Sequence, residues 1–268
     1  MNLTIAHAAL SDAGTLSTAA SVAGNMPLAN LQAIQPTDAT RFLTPGSAYF
    51  ELDLGSAKAI DFVALLNTNG SSAATWRVRA DSTQAGLSGG SPGYDSTTKT
   101  LWPSTGLDDW DFVHALLNIG ADKTFRWWRV DIADASNPDG YFQAGRLLLA
   151  DAWRPTHGLT VAEGAELGWR DPSAWNVARG GQTYVDAVPR ARFLRFGVTL
   201  IDDTELFPRG LWLDRTRGSS RDVLVSLDPD HATLAQDWTL CGLMKELSPA
   251  RTQDINRWQK RFEIEELL

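Results

Sequence analysis

The sequence predicts an all-β chain of two domains, and three observations carry that prediction. Apolar and polar side chains alternate with a period of two in short segments such as Tyr49-Phe-Glu-Leu-Asp-Leu54 and Thr75-Trp-Arg-Val-Arg-Ala80. Turn-forming residues separate those segments, as in Gly55-Ser56 and Asn67-Thr-Asn-Gly-Ser-Ser72. Heptads, long amphipathic helices and repeats of roughly 20 to 50 residues are not in the pattern. The 268 residues correspond to about two domains at roughly 150 residues each.

Taken in order, Tyr49–Leu54, Ile60–Leu66 and Thr75–Ala80 are expected to form a β meander. From Asp81 to Leu107 the composition shifts to Ser, Gly, Thr and Pro, which predicts a long surface excursion. Strands resume at Phe112–Leu117 and Phe125–Ile132. Asn137-Pro-Asp-Gly140 is a turn signal, because proline presets one turn position and glycine accepts the last. Tyr141–Trp153 closes the first domain as a strand pair, and Arg154-Pro-Thr-His-Gly158 reads as the boundary. Residues 1–153 and 154–268 are therefore the expected domains. In the second, strands are expected at Gln182–Asp186, Arg190–Leu200, Asp222–Leu227, Trp238–Glu246 and Trp258–Leu267. One short helix is expected, capped by Asp202 or Asp203 and carrying Leu206, Leu211, Trp212 and Leu213, with Pro208 in its first turn.

Composition excludes several classes. The chain is 43% hydrophobic and 21% charged, with a net charge of −8. An acidic chain lacks the positive field that holds phosphate backbones, so nucleic acid is not expected as a partner. The longest apolar runs fall short of the roughly 18 to 20 residues that span a bilayer, so membrane insertion is not expected. The first residues lack a basic stretch ahead of their apolar ones, and Asp12 interrupts them, so a secretory signal is not expected either. The single cysteine, Cys241, forbids an intrachain disulfide and reads as a small buried residue.

The motifs that could carry catalysis are weak. Gly89-Gly-Ser-Pro-Gly93 matches G-x-S-x-G formally, but no hydrophobic strand precedes Ser91 and Pro92 follows it, so a flexible loop is expected. His7, His114, His157 and His231 have no metal-ligand spacing. Carboxylates cluster at Asp108-Asp-Trp-Asp111, Asp131 to Asp139, Glu163 with Glu166, and Asp202 to Glu205, and nothing in the sequence sets two of them across a cleft. Asp134, Ser136 and Asp139 have calcium-like oxygen chemistry, but Gly145 stands where an EF-hand needs Glu, and a turn is the expected reading. The chain is expected to be no enzyme and to need no cofactor.

Two features point to binding. Most of the eleven tryptophans sit in strand patterns that bury them, whereas Trp102 and Trp110 flank a segment outside any clean strand. With Asp108 and Asp109 they are the candidate carbohydrate contacts, through stacking and hydrogen bonds. Arg outnumbers Lys by 19 to 5, and the chain carries 15 acidic and 9 basic residues up to Trp153 against 17 and 15 beyond it. Arg190, Arg192, Arg195, Arg215 and Arg217 are the candidate oligomer-interface residues, since a planar, weakly hydrated cation tolerates burial at an interface.

The first half resembles the discoidin-like (coagulation-factor type C), galactose-binding jelly roll. The resemblance lies in Ala29–Phe42 leading into Tyr49-Phe-Glu-Leu-Asp-Leu-Gly55, then Ala59–Leu66, Trp76–Ala80, Phe125–Ile132 and Gly145–Trp153. It implies an N-terminal β-sandwich; the cysteines that close many such domains are absent. The second half is similar to the tail-tube-like β domains of distal tail and minor tail proteins of long-tailed bacteriophages, through Phe196–Phe207, Arg217–Pro229 and Arg261–Leu267. That resemblance implies a virion structural protein of the tail tip or baseplate, made in the host cytoplasm. It would form a trimeric or hexameric ring that joins tube, hub and tape-measure proteins, with cell-surface glycan as a further partner. The alternative is a free, lectin-like carbohydrate-binding protein.

Overall fold

A computed structural model describes residues 2–7, 9–158 and 164–267; Glu163, one of the clustered carboxylates, lies outside them. The chain is mostly antiparallel β, as its alternation predicts. It divides into two compact units, one formed by Asn2–Arg154 with Val225–Thr239, the other by Pro155–Leu224 with Leu240–Leu268.

In the N-terminal unit the main sheet runs Arg146–Ala150, Ala48–Thr68, Val113–Ala133, Thr75–Asp81 and Tyr94–Asp95, with Thr15–Ser17 and Lys99–Thr100 added at its margins. A second layer pairs Thr40–Phe42 with Phe142–Ala144. Phe42 holds the layers together, its ring 6.3 Å from Phe50 and 6.4 Å from Phe142. Alternation along Thr75–Asp81 turns Trp76, Val78 and Ala80 into this core, which is why the segment is a strand.

Three expectations are corrected here. The strands expected at Tyr49–Leu54 and Ile60–Leu66 are one strand, Ala48–Thr68, and those at Phe112–Leu117 and Phe125–Ile132 are one strand, Val113–Ala133. Their pairing continues through register shifts at Asp53/Lys58 and Ile60/Phe62, so the turn-like residues make bulges within a ladder. The Ser/Gly-rich stretch is no featureless excursion. It carries a helix at Gln84–Ser88 and two short strands, and Leu87, Leu101 and Leu107 are buried. Finally, Phe142–Ala144 and Arg146–Ala150 belong to different sheets. Gly145 stands between them, hard against the Pro36 carbonyl.

In the C-terminal unit, Thr239–Met244, Arg257–Glu266, Ala191–Asp202 and Ala165–Arg170 form successive antiparallel pairs, with Arg251–Asp254 also on Arg257–Glu266. Leu194, Phe196 and Val198 alternate inward, and Phe196 stacks on Phe262 at 5.1 Å. The expected helix begins at Asp203 after Asp202 and ends at Thr216, but Asp202 makes no side-chain cap. Pro208 lies past the first turn, where Leu206–Gly210 widens into a π-helical turn; a widened turn relieves the ring clash and the missing N–H. Ala174–Val177 and Thr183–Asp186 form a separate hairpin.

Candidate functional site

In the N-terminal unit, residues 69–74 and 100–112 meet at one end of the main sheet. Buried Leu101 and Leu107 anchor the second stretch, and the Leu101 N–H donates to the Ala74 carbonyl at 2.9 Å. A Cβ on Gly70 would lie 2.6 Å from a Leu101 methyl, so a larger residue there would have to displace the Leu101 side chain that anchors the second stretch. The Trp102 indole N–H donates to the Gly70 carbonyl at 2.7 Å and ties them again.

A buried polar network holds the 69–74 turn from behind. The Asp134 carboxylate accepts from the Ser71 N–H at 2.9 Å, the Ser71 hydroxyl at 2.5 Å and the Asn137 amide at 2.8 Å. Asn137 also donates to the Asn69 carbonyl, and the Asn69 amide oxygen accepts from the Gln143 N–H at 2.7 Å. The Asn69 amide donates to the Asp139 carboxylate at 2.8 Å, so Asp134 and Asp139 both brace a turn. The Gly140 N–H returns to the Asn137 carbonyl at 3.1 Å, closing the turn that Asn137-Pro-Asp-Gly140 predicts.

Above this frame lies a cleft of 490 Å³ lined by Ser72, Thr100, Trp102, Ser104, Thr105 and Asp108, with Ala232 at its side. Ser104 is only 6% exposed, and its hydroxyl has no hydrogen-bond partner. A buried hydroxyl left unpaired costs about 1–3 kcal/mol, which Ser104 recovers when its side chain turns to meet a polar group in the cleft. One aromatic ring, several hydroxyls and one carboxylate around such a cleft suit a polyhydroxylated ligand.

Of the four candidate sugar contacts, the cleft brings together Trp102 and Asp108, while Trp110 and Asp109 are not among its lining residues. Neither tryptophan stands free in solvent as expected. Both are half-buried and pack on the core, because the segment between them is anchored by Leu101 and Leu107. Ser104, Thr100, Thr105 and Ser72 went unread in the sequence, since serine and threonine inside a Ser/Gly-rich stretch look like loop filler. The signal available was Leu101 and Leu107, two apolar anchors too far apart for a free linker.

A second groove of 680 Å³ includes Tyr49, Arg77, Arg79, Arg129 and Asp131. Its cations are committed: Arg129 reaches Glu51 at 2.9 Å and Asp131 at 2.8 Å and lies 3.8 Å over the Tyr49 ring, while Arg79 holds Asp131 at 2.6 Å. Arg77 pairs with Asp95 and holds its carboxyl below the ordinary range. Asp61, Asp122 and Asp151 bring carboxylates together, but Asp61 accepts from the Ala152 N–H at 2.7 Å and from Arg154. Its charge is thereby spent within the fold.

The Arg-rich half divides. Arg192 is 2% exposed and its guanidinium holds Glu266, and Arg217 is buried as well. Both are buried within the single chain, unlike the other three interface candidates. Arg195 sits opposite Glu263 in the strand register, donates to it at 3.1 Å and reaches Glu166 at 3.6 Å. Arg190, half a pair with Asp171 at 3.3 Å, and Arg215 are exposed. Trp169 and Trp175 lie on Ala165–Arg170 and Ala174–Val177, strands the sequence reading did not place, and are 59% and 74% exposed.

No family model and no curated protein matches the chain. Among solved structures, module CBM32-1 from a family 31 glycoside hydrolase of Clostridium perfringens is 12% identical, over 54% of this chain and 99% of that one, at a TM-score of 0.38. The lectin domain of lectinolysin, solved with Lewis B antigen, is 12% identical over 56% of this chain and 98% of that one, at 0.37. SpGH29 is 15% identical over 53% of this chain at 0.40, and this chain covers only 28% of its length. These likenesses are distant, and the β architecture described above rests on this chain's own strand pairing.

Proposed function

We propose that the chain is a non-enzymatic glycan-binding protein whose N-terminal unit holds a sugar in the cleft beside Trp102. The observation that carries this reading is a cleft lined by hydroxyl-bearing residues, an indole and a carboxylate, with the Ser104 hydroxyl buried and unpartnered in its wall. Sugars answer all three: ring faces pack on indole, and hydroxyls both donate and accept. The matched carbohydrate-binding and lectin modules agree with the reading without deciding it. Glycan-array binding of the full chain, followed by titration of Ser104→Ala, is the test. A lost hydrogen bond of about 0.5–1.5 kcal/mol weakens binding roughly two- to ten-fold. No binding to any glycan at millimolar concentration would remove the reading.

A second reading is assembly into a larger particle such as a phage tail ring, located at the virion's tail tip. It is favoured by the hairpin of the C-terminal unit, where Trp175, Val177 and Val185 share one exposed face, since a contiguous exposed apolar patch marks interaction sites. Light scattering over a concentration series tests it. A closed trimer or hexamer supports the ring, and a strict monomer leaves the glycan reading alone.

A further inference from the structure

Resting on the glycan-binding reading, we infer that the cleft beside Trp102 selects sugars carrying a free amine, that is, unacetylated amino sugars. Asp108 is the one ionisable side chain that lines the cleft, and the other polar groups on its walls are the hydroxyls of Ser72, Thr100, Ser104 and Thr105. The nearest cation in sequence is Lys99. It pairs across the ladder with Trp76 while Thr100 pairs with Thr75, so alternation turns Lys99 to the opposite face from the cleft residue Thr100.

Asp108 is exposed, and Asp109 and Asp111 follow it on the same exposed stretch. A carboxylate only accepts hydrogen bonds, whereas an ammonium only donates them, so the two match in both charge and hydrogen bonding. The adjacent carboxylates deepen the negative potential at the mouth. A uronic or sialic acid would bring a second carboxylate against Asp108 and be repelled, and an N-acetyl group would replace the cation with a neutral amide. The hydroxyls of the lining are neutral and do not discriminate by charge, so selectivity falls to Asp108.

The test is titration of the full chain, at low salt and mildly acidic pH where the amine holds its proton, with a glucosamine oligomer, its N-acetylated counterpart and a glucuronate oligomer of equal length. An exposed ion pair is worth at most about 1 kcal/mol, so the glucosamine oligomer should bind roughly two- to five-fold tighter than the acetylated one, with glucuronate weakest. Asp108→Asn should bring the amine-to-acetyl ratio near one, and raised salt should shrink it. Equal affinity for the amine and acetylated oligomers, or a preference that survives in Asp108→Asn, overturns the selectivity while leaving glycan binding standing. Failure to bind these oligomers and every sugar on an array overturns both.

Discussion

A Cβ on Gly145 would stand 2.0 Å from the Pro36 carbonyl oxygen, so either the turn at residue 36 or the strands flanking Gly145 would have to move. Gly145→Ala is expected to cost about 1–3 kcal/mol, the range for forced overpacking, and to lower Tm in thermal denaturation. An unchanged Tm would show that the approach of residue 36 is soft. Arg146 poses the opposite problem. Its side chain is 0% exposed and reaches the quarter-exposed Asp12 at 2.6 and 3.0 Å, so Arg146→Ala costs chiefly through the cavity it opens, about 2–5 kcal/mol. Ser104 inverts the usual sign, because its hydroxyl is buried without a partner. Ser104→Ala should leave Tm unchanged or raise it while glycan affinity falls, a split that a merely structural serine would not produce.

Between strands of similar sequence pattern, what the sheet faces decides which side chains matter. Trp128 is buried in a central strand and Trp175 is exposed in a two-stranded hairpin. Trp128→Ala should therefore cost about 3–5 kcal/mol, and Trp175→Ser should stay within about 0.5 kcal/mol in the same denaturation series. A large loss at Trp175 would mean that the hairpin packs against something within the chain. This contrast also explains what could be read from the sequence. Alternation in Thr75–Asp81 and Ala191–Asp202 locates the strands, because each has one face on a core. It says nothing of whether a second layer covers a given face, so the exposure of Trp169 and Trp175 is not legible from it. Turn residues at Gly55-Ser56 could not be told from a bulge, since both need the same local freedom and only the partner strand distinguishes them. The candidate site was half legible. Trp102 and Asp108 stood out by chemistry, whereas Ser104 became visible only when Leu101 and Leu107 pulled its loop onto the sheet.

Over the whole molecule, opposite charges are distributed as local pairs, and this makes stability depend on pH in a definite direction. The Asp95 carboxyl is held below its ordinary range by Arg77, that of Glu263 by Arg195, and that of Asp53 by Arg126. Asp81 is lowered as well, by the backbone N–H groups of Thr83 and then Gly93. In each case the folded value lies below the unfolded one. The stabilisation is thus complete above the ordinary carboxylate range of about pH 4, and it is lost as pH falls through the lowered folded values. Tm is expected to be flat from neutral pH down to that range and to drop below it. All four groups are half-buried at the surface, where solvent still screens them, so each contributes little and the drop is a sum of small terms. Salt separates the two causes. Screening weakens the arginine pairs, while the backbone donors to Asp81 carry no net charge. The acid-induced loss in wild type should therefore shrink in high salt, and the portion that Asp81→Asn removes should persist there. A Tm that rises on acidification would show that protonating these carboxylates favours the folded state, and would reverse the assignment.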